Sequence, residues 1–270
     1  MRCIFCKCDS MTSKSREHII PESLGNIDIT LPLGVVCDKC NNYFGREVDK
    51  PFLENDSIKL LRFEEGIISK KGRIPVVQGL LSDEYGLRPI PVTKVPSQYP
   101  VYSGDAMFFS VDKNCIVGCT GKIYIPKFDT NLSLFEGTIL TRFLAKIAFE
   151  YLAFRLKENN EWINSLIDTP QFDDIREHAR LGRIKNWPCS VRKIYDKEMR
   201  EYNPLTEEME QIINELDILI TTGSEYYFVM ALFGIEYAIN LGGAEIDGYY
   251  KWLQQNNNQS PLYIDKNKKM

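Results

Sequence analysis

Apolar residues recur with helical spacing in three parts of the chain. In the longest, residues 139–156, apolar positions three and four residues apart form one face that must pack against a large partner. A shorter stripe is formed by Phe44, Val48 and Phe52, each four residues from the next. The predicted helices are therefore residues 139–156, the segment that follows Cys40, and residues 172–181, which are followed by a glycine.

Runs rich in β-branched and aromatic residues predict strands in the second half of the chain. The predicted strands are Met107–Val111, Lys122–Ile125, Ser190–Tyr195 and Asp217–Thr221. The longer run Tyr226–Leu241 is interrupted by Gly234, so it fits two strands or one bent strand. Residues 57–102 contain five prolines and little periodicity, which predicts a linker with short edge strands.

Composition places the chain among ordinary globular proteins. It has 270 residues, of which 44% are hydrophobic and 26% charged. No run of about 18 apolar residues is present to cross a bilayer, and the first residues lack the apolar core of a secretory signal. We therefore expect a cytoplasmic protein with no membrane partner.

Charge is distributed unevenly along the chain. The formal net charge of -4 argues against binding of a polyanion by the whole surface. Residues 176–193, however, hold six basic residues against one acidic residue, whereas residues 201–270 hold four against eleven. A local nucleic-acid-binding surface is predicted at Arg176, Arg180, Arg183, Lys185, Arg192 and Lys193. The alternative, a solvated helix face beside a core tryptophan at position 187, fits the sequence equally well.

Five of the eight cysteines lie in the first forty residues, in a pattern typical of metal ligands. The pairs Cys3/Cys6 and Cys37/Cys40 are C-x2-C knuckles separated by 30 residues, and together they supply the four thiolates of a tetrahedral zinc site. On their own, these pairs fit a purely structural zinc ribbon equally well. The remaining cysteines are interpreted as a bystander, Cys8, or as buried free thiols, Cys115, Cys119 and Cys189.

The insert between the knuckles contains the run Glu17-His18-Ile19-Ile20-Pro21-Glu22-Ser23-Leu24-Gly25, and Asn41 directly follows the last knuckle cysteine. Two C-x2-C pairs, an acid–histidine pair with an apolar-proline stretch, and a final asparagine occur in the same order in the HNH, or ββα-metal, endonucleases, which this sequence resembles. The resemblance covers residues 3–55, about one fifth of the chain.

Phosphodiester hydrolysis explains why these residue types occur together. The reaction needs a base that activates water and a metal ion that stabilises negative charge. An imidazole has an ordinary pKa of about 6.5 and can accept a proton at neutral pH, so His18 suits the base. The resemblance implies that Glu17 and Asn41 hold a divalent ion, Mg²⁺ or Mn²⁺, while the four cysteines hold structural Zn²⁺.

One position departs from the family pattern. The central asparagine of that pattern would fall at Pro32, so the loop after the first motif is either stiffened by proline or organised differently. Asn42 and Asp49 are further candidate site residues.

These observations predict an α+β protein with a small zinc-bound ββα-metal module, residues 1–56, a basic and proline-rich linker, residues 57–102, and an α+β domain of unassigned role, residues 103–270. The predicted function is metal-dependent cleavage of DNA, with RNA as a further substrate candidate, and with an activating protein or a homo-oligomer as partner. Free-standing HNH proteins of this organisation suggest a role in bacterial restriction or phage defence. The alternative is a non-catalytic zinc ribbon that binds nucleic acid or protein.

Overall fold

The computed structural model describes residues 1–25, 29–69, 71–94, 109–111, 121–127, 137–184, 186–203 and 206–264. The chain is a mixture of helices and sheets that forms two compact units. The first contains Met1–Pro21, Asn26–Phe52 and Leu134–Met270, and the second contains Glu22–Gly25 and Leu53–Ser133.

The N-terminal part of the first unit is built from short backbone pairings and one helical segment. His18 forms an antiparallel bridge with Thr30. A continuous helical run then consists of α1 (Asp38–Phe44), a π-helical turn (Gly45–Asp49) and α2 (Lys50–Leu53). The predicted stripe of Phe44, Val48 and Phe52 is buried, at 0%, 1% and 0% exposure, so the sequence pattern identifies the core-facing side of this helical run correctly.

The second unit begins with a short 3-10 turn at Glu22–Leu24 and contains one longer helix and a four-stranded sheet. Its elements are α3 (Asp56–Glu64), β1 (Val77–Asp83), β2 (Gly86–Lys94), β3 (Phe109–Val111) and β4 (Lys122–Tyr124). The strands pair antiparallel in the order β3-β2-β1-β4. Buried side chains of α3 and the hairpin pack together as a core of Phe63, Ile74, Val77, Leu81, Ile90 and Val92.

The described part of residues 57–102 therefore differs from the predicted linker. It contains most of α3 and a long hairpin rather than short edge strands. Pro89 and Pro91 lie in β2 on its exposed side, while β3 pairs with Val92–Lys94 beyond them. Proline is tolerated where a strand edge needs no N–H donor, which is why the proline count misled the secondary-structure prediction. The functional division into three domains stays a prediction.

The rest of the first unit is helical and then β-rich. The helices are α4 (Thr138–Arg155), α5 (Asn160–Asp168) and α6 (Asp173–Leu181), with a 3-10 turn at Pro170–Phe172 before α6. The strands are β5 (Cys189–Lys193), β6 (Arg200–Asn203), β7 (Glu208–Gln211), β8 (Asn214–Ile220), β9 (Tyr226–Leu232) and β10 (Ile235–Asn240), and α7 (Asp247–Gln255) and α8 (Pro261–Ile264) follow.

The main sheet of this unit has the order β5-β10-β9-β8, and β6 and β7 form a separate hairpin. β9 and β10 are joined at Phe233 and Gly234, whose φ angles of 48° and 78° suit a tight hairpin turn. The helix α4 packs against α6, β10 and the π-helical turn. The predicted helix over residues 139–156 is confirmed, and residues 226–241 form two strands, as one of the two alternatives predicted.

Candidate functional site

The four knuckle cysteines meet at one point of the first unit. Their sulfur atoms all lie within 4.8 Å of one another, and the sulfurs of Cys6 and Cys37 are 3.6 Å apart. Zn–S bonds of about 2.3 Å in a tetrahedron require sulfurs roughly 3.8 Å apart. The cluster therefore fits a zinc ion, whereas Cys8 is exposed and lies outside the group.

Local backbone geometry creates this cluster. In the first knuckle, Lys7 adopts a φ of 60° and its N–H donates to the Cys3 carbonyl at 2.9 Å. In the second, Cys37 is the N-cap of α1, and its sulfur accepts the N–H of Cys40 at 3.4 Å. The N–H of Cys37 donates in turn to the Cys3 sulfur at 3.4 Å. These N–H groups point at sulfur in the way that favours thiolate ligands.

The contact between Cys3 and Cys40 shifts the pKa values of the two thiols in opposite directions. The contact with Cys40 is the largest cause that lowers the pKa of Cys3, to about 5, while the same contact raises the pKa of Cys40. Because zinc binds thiolates, the ion displaces these protons when it binds.

Glu17 and His18 lie in the short antiparallel pairing that precedes α1. The N–H of Leu31 donates to the Glu17 carbonyl at 2.9 Å, and the N–H of Ile19 donates to the Ile29 carbonyl at 3.1 Å. Glu17 and Ile19 are buried at 6% and 0% exposure, while His18 between them is half-buried. This alternation is the one expected of extended chain, and it directs Glu17 into the protein and His18 to the other side.

Asp38 ties this pairing to the second knuckle. Its carboxylate accepts the N–H groups of Lys14 and Ser15 at 3.0 and 2.8 Å, and the Ser15 hydroxyl at 2.5 Å. These donors, led by the Ser15 hydroxyl, lower the pKa of Asp38 below its ordinary value. Asp38 is not among the predicted site residues; its one signal in the sequence is an acidic side chain directly after the N-cap Cys37, in the first turn of α1.

Asn41 lies in the first turns of α1, directly after Cys40. Its N–H donates to the Cys37 carbonyl at 2.9 Å, and its own carbonyl accepts the N–H of Gly45. The Asn41 side chain is half-buried and that of Asn42 is exposed. The cysteine cluster thus holds the helix that carries Asn41, since Cys37 caps this helix and Cys40 lies in its first turn.

The carboxylate of Glu17 belongs to a buried ionic cluster centred on Lys146 of α4. The Lys146 ammonium lies 2.7 Å from Glu17 Oε1, 3.1 Å from Asp49 Oδ2 and 3.6 Å from Glu150 Oε2. Lys146 and Glu150 are fully buried, and Asp49 is 15% exposed. Neither oxygen of Glu150 has a hydrogen-bond partner among the described residues.

Burial and the close charges change the protonation behaviour of all four groups. Burial is the largest cause that raises the pKa of each of the three carboxyls, and the Lys146 charge only partly offsets it. Burial on its own lowers the pKa of Lys146, but attraction by Asp49, Glu150 and Glu17 raises it well above its ordinary value. These shifts favour the charged form of Lys146 and the protonated forms of the carboxyls around it.

This geometry bears on the predicted catalytic metal. Glu17 already has a cation at 2.7 Å, and a divalent ion on the same carboxylate oxygen would lie close to that ammonium. Among the described residues, the cysteine cluster is the one group of histidine, cysteine and acidic side chains that is arranged to hold a metal. The assignment of Glu17 and Asn41 as ligands stays a prediction, and the observed position of Glu17 does not fit it.

The residues predicted to bind nucleic acid are dispersed rather than grouped on one helix face. Arg176 is 3% exposed, and its guanidinium donates to the carbonyls of Ile4, Leu166 and Ile167. It also stacks 4.8 Å from the Phe149 ring, so it is a structural residue that a phosphate cannot reach. The helix α6 ends at Leu181 because Gly182 adopts a left-handed φ of 59°.

The other predicted basic residues differ in their exposure and in their ion-pair partners. Arg183 lies beyond the end of α6, is exposed and pairs with Glu177 at 3.1 Å. Arg192 pairs with Glu236, and Lys193 pairs with Asp196. Arg180 is half-buried, and Lys185 lies outside the described residues, as do Cys115 and Cys119. The structure therefore leaves Arg180 and Arg183 as the members of this set that carry the prediction best.

His178 is a core residue. It is fully buried, its Nε2 lies 3.0 Å from the Thr141 hydroxyl, and its ring stacks on Trp187. Burial, with the charge of Arg142 as the second cause, lowers the pKa of His178 to about 4. Of the two histidines, His18 alone lies in the motif region.

Comparison with known proteins supports the motif region. Residues 3–57 match the family model described as HNH endonuclease, which covers about a fifth of the chain. No curated protein and no solved structure matches the chain. Among the described residues, no helix is long and apolar enough to cross a membrane. The N-terminal part thus carries a nuclease-type module of the HNH family with a cysteine cluster arranged for zinc.

Proposed function

We propose that the chain is an endonuclease that hydrolyses phosphodiester bonds in DNA, with His18 as the general base. The observation that carries the proposal is the match of residues 3–57 to the HNH endonuclease family, together with the clustering of the four cysteines in space. A family of this kind implies a nucleic-acid substrate and a hydrolytic reaction. DNA rather than RNA, and a role in restriction or phage defence, are finer predictions that follow from the resemblance.

The backbone around His18 supports this role. His18 is half-buried on an extended segment whose backbone is paired with residues 29–31, and the Nδ1 atom of its ring is buried. An imidazole that takes a proton from water yields the hydroxide that attacks phosphorus, and the bond to the leaving oxygen then breaks. A positioned base of this kind accelerates hydrolysis by roughly 10²–10⁴-fold.

The two metals have separate roles in this proposal. Zinc on the four cysteines supplies folding free energy to a segment too small to hold its shape by its own core. A divalent ion, Mg²⁺ or Mn²⁺, supplies charge stabilisation at the phosphate when it is bound. Its ligands stay a prediction, since Glu17 faces Lys146.

The alternative is a zinc ribbon that binds nucleic acid or protein without catalysis. The motif residues favour the nuclease even though Pro32 stands at the place of the central asparagine, because a ribbon needs neither the histidine nor the asparagine that follows the last cysteine. The role of the remaining residues, including target choice, an activating partner or self-association, is a separate prediction.

Plasmid cleavage distinguishes these functions. Purified protein is incubated with supercoiled plasmid and Mg²⁺, Mn²⁺ or Zn²⁺, and nicked and linear products are followed with time. The proposal predicts cleavage that stops soon after addition of EDTA, before zinc leaves the thiolates. Binding of plasmid without any product, under every metal, would favour the ribbon.

A further inference from the structure

Lys146 lies far along the chain from the family-matched segment but contacts its acidic residues directly. Residues 3–57 contain Glu17 and Asp49, and Lys146 and Glu150 are on α4. The Lys146 ammonium approaches Glu17 and Asp49 within 2.7 and 3.1 Å. The nuclease-type module is therefore joined to α4 by a charge contact and not just by apolar packing.

The two carboxylates belong to different parts of the module. Glu17 lies on the extended segment, one residue before His18, whereas Asp49 ends the π-helical turn that follows the asparagine-bearing helix α1. A single ammonium that contacts both carboxylates fixes the distance between these two elements. Single-turn π-helices are often found at functional sites, since they redirect the side chains around them.

Aromatic contacts fix the position of α4 relative to the N-terminal module. Phe143 stacks on Phe52 with ring centroids 3.7 Å apart, and Phe149 lies 5.7 Å from Phe5. Lys146 is between these two aromatic contacts along α4, and it is fully buried. Because α4 is packed against the module about one turn to either side of Lys146, the ammonium has little freedom to move away from the carboxylates.

We propose that Lys146 is a positioning residue of the nuclease site, which holds Glu17 and thereby fixes the strand of His18 against the helix of Asn41. The proposal rests on the proposed function. Lys146 acts through Glu17, which in this proposal is not a ligand of the catalytic ion. A buried ionic contact is a means of selecting one arrangement of neighbouring elements, and here the elements are those that carry the motif residues.

The first test replaces Lys146 by methionine, which keeps the length of the side chain and removes its charge. We expect the initial rate at saturating plasmid to fall about 10- to 100-fold, because a base displaced by about 1 Å loses that much. The plasmid concentration for half-maximal rate should stay within about twofold, since the binding surface is unchanged. Lys146→Arg should recover part of the rate, and Lys251→Met, an exposed lysine on α7, is the matched control.

Zinc content and circular dichroism show whether each variant is folded. If Lys146→Met fails to fold, a double variant that combines Lys146→Met with Glu150→Gln is measured. It is compared with the single variant Glu150→Gln. This double variant removes the carboxyl that lacks a hydrogen-bond partner among the described residues and relieves the uncompensated charge. Folded Lys146→Met, or the folded double variant, with the maximal rate of its parent would overturn the proposal.

Glu17→Gln separates positioning from metal binding. The amide oxygen of glutamine still accepts a hydrogen bond from Lys146, so we expect a rate closer to that of the unaltered chain than to that of Lys146→Met, with an unchanged Mg²⁺ or Mn²⁺ concentration for half-maximal cleavage. A metal ligand that loses its charge would raise that concentration by tenfold or more. Such a rise would return Glu17 to the metal site and overturn its role as partner of Lys146.

A second readout does not depend on cleavage. The chain has two histidines, so the imidazole carbon–proton signals of ¹³C-histidine-labelled protein are few and are assigned with His18→Ala. Lys146→Met should move the His18 signal much further than Lys251→Met does. If the unaltered chain cleaves nothing under any metal, the proposed function fails, and an unmoved His18 signal would then overturn the positioning role as well.

Discussion

The zinc cluster and the lysine-centred cluster lie in the same compact unit but are assembled in different ways. The four cysteines come from two short knuckles within the first forty residues, and each knuckle is shaped by its own backbone hydrogen bonds. The ionic cluster joins Glu17 and Asp49 to Lys146, and 97 residues separate Asp49 from that lysine. The cysteine cluster is thus defined by residues of the first forty positions, whereas the ionic cluster forms only when α4 packs against the N-terminal part.

If the proposed function holds, the comparison separates residues that support folding from residues that support catalysis. Zinc on the four cysteines is expected to hold the knuckles and the start of α1, so its loss should remove the scaffold. Lys146 is proposed to set the relative position of two elements of that scaffold, so its loss should impair the site while much of the scaffold remains. Variants that separate zinc content, stability and cleavage are therefore the way to test this division.

The largest effect is expected from the zinc ligands. Cys37→Ser should lose one equivalent of zinc and unfold the N-terminal part, because structural zinc supplies on the order of 10 kcal/mol in small zinc modules. Zinc analysis and circular dichroism measure both results. The control is Cys8→Ser, since that thiol is exposed and outside the cluster. Full zinc content in Cys37→Ser would contradict the ligand assignment.

Removal of the buried cation should have the next largest effect. Lys146→Met leaves three buried carboxyls without their counter-ion, and such a change typically costs about 3–5 kcal/mol. Denaturant unfolding compares it with the exposed control Lys251→Met, for which we expect a change of less than about 0.5 kcal/mol. Equal free energies of unfolding for Lys146→Met and Lys251→Met would mean that the three carboxyls do not need Lys146 as their counter-ion.

A smaller effect concerns the pH dependence of stability. Burial raises the pKa of Glu150 well above its ordinary value, despite the attraction of Lys146 and with Glu17 and Asp49 adding to the rise. The folded chain thus keeps a proton that the unfolded chain releases above about pH 4.3. Stability from this group is complete below that pH and declines as the pH rises towards the folded-state pKa.

Glu150→Gln has no such proton to lose, while Glu17, Asp49 and Lys146 remain. Its melting temperature should therefore decline less between pH 5 and pH 8 than that of the unaltered chain. Thermal melts at matched ionic strength test this. Parallel curves for the two proteins would show that Glu150 is charged throughout that range.

The smallest effect is expected on DNA binding. Arg180→Ala combined with Arg183→Ala should flatten the slope of log affinity against log salt by about 1.8 if both side chains contact phosphates, since each contact contributes about 0.9. The measurement is a salt titration of duplex binding, with Lys251→Ala as the control. An unchanged slope would leave this stretch with the structural role that Arg176 already has.

How much of this could be read from the sequence differs between the two clusters. Cysteine spacing predicts the zinc site because two knuckles and four sulfurs suffice to define it. Apolar periodicity predicts α4, and the buried faces of both helical segments follow from their stripes. Both signals depend on residues that lie close together in the chain, so a single sequence is enough to detect them.

The partner of Glu17 is not readable in the same way. Lys146 and Glu150 are four residues apart in a helix that is apolar on nearly all sides, which signals a buried pair. Nothing in the spacing shows that Glu17 and Asp49 complete that pair, because the contact depends on how α4 packs against the module. Likewise, the basic run at residues 176–193 suggests a surface, and tertiary packing instead buries Arg176.

The most direct test of the account compares zinc content and plasmid cleavage in a single variant, His18→Ala. The account predicts one equivalent of zinc, an unchanged circular dichroism spectrum and cleavage reduced by roughly 10²–10⁴-fold, because His18 performs chemistry and the cysteines hold the fold. Cleavage at the unaltered rate by folded, zinc-loaded His18→Ala would remove His18 from the mechanism and contradict the proposed nuclease site.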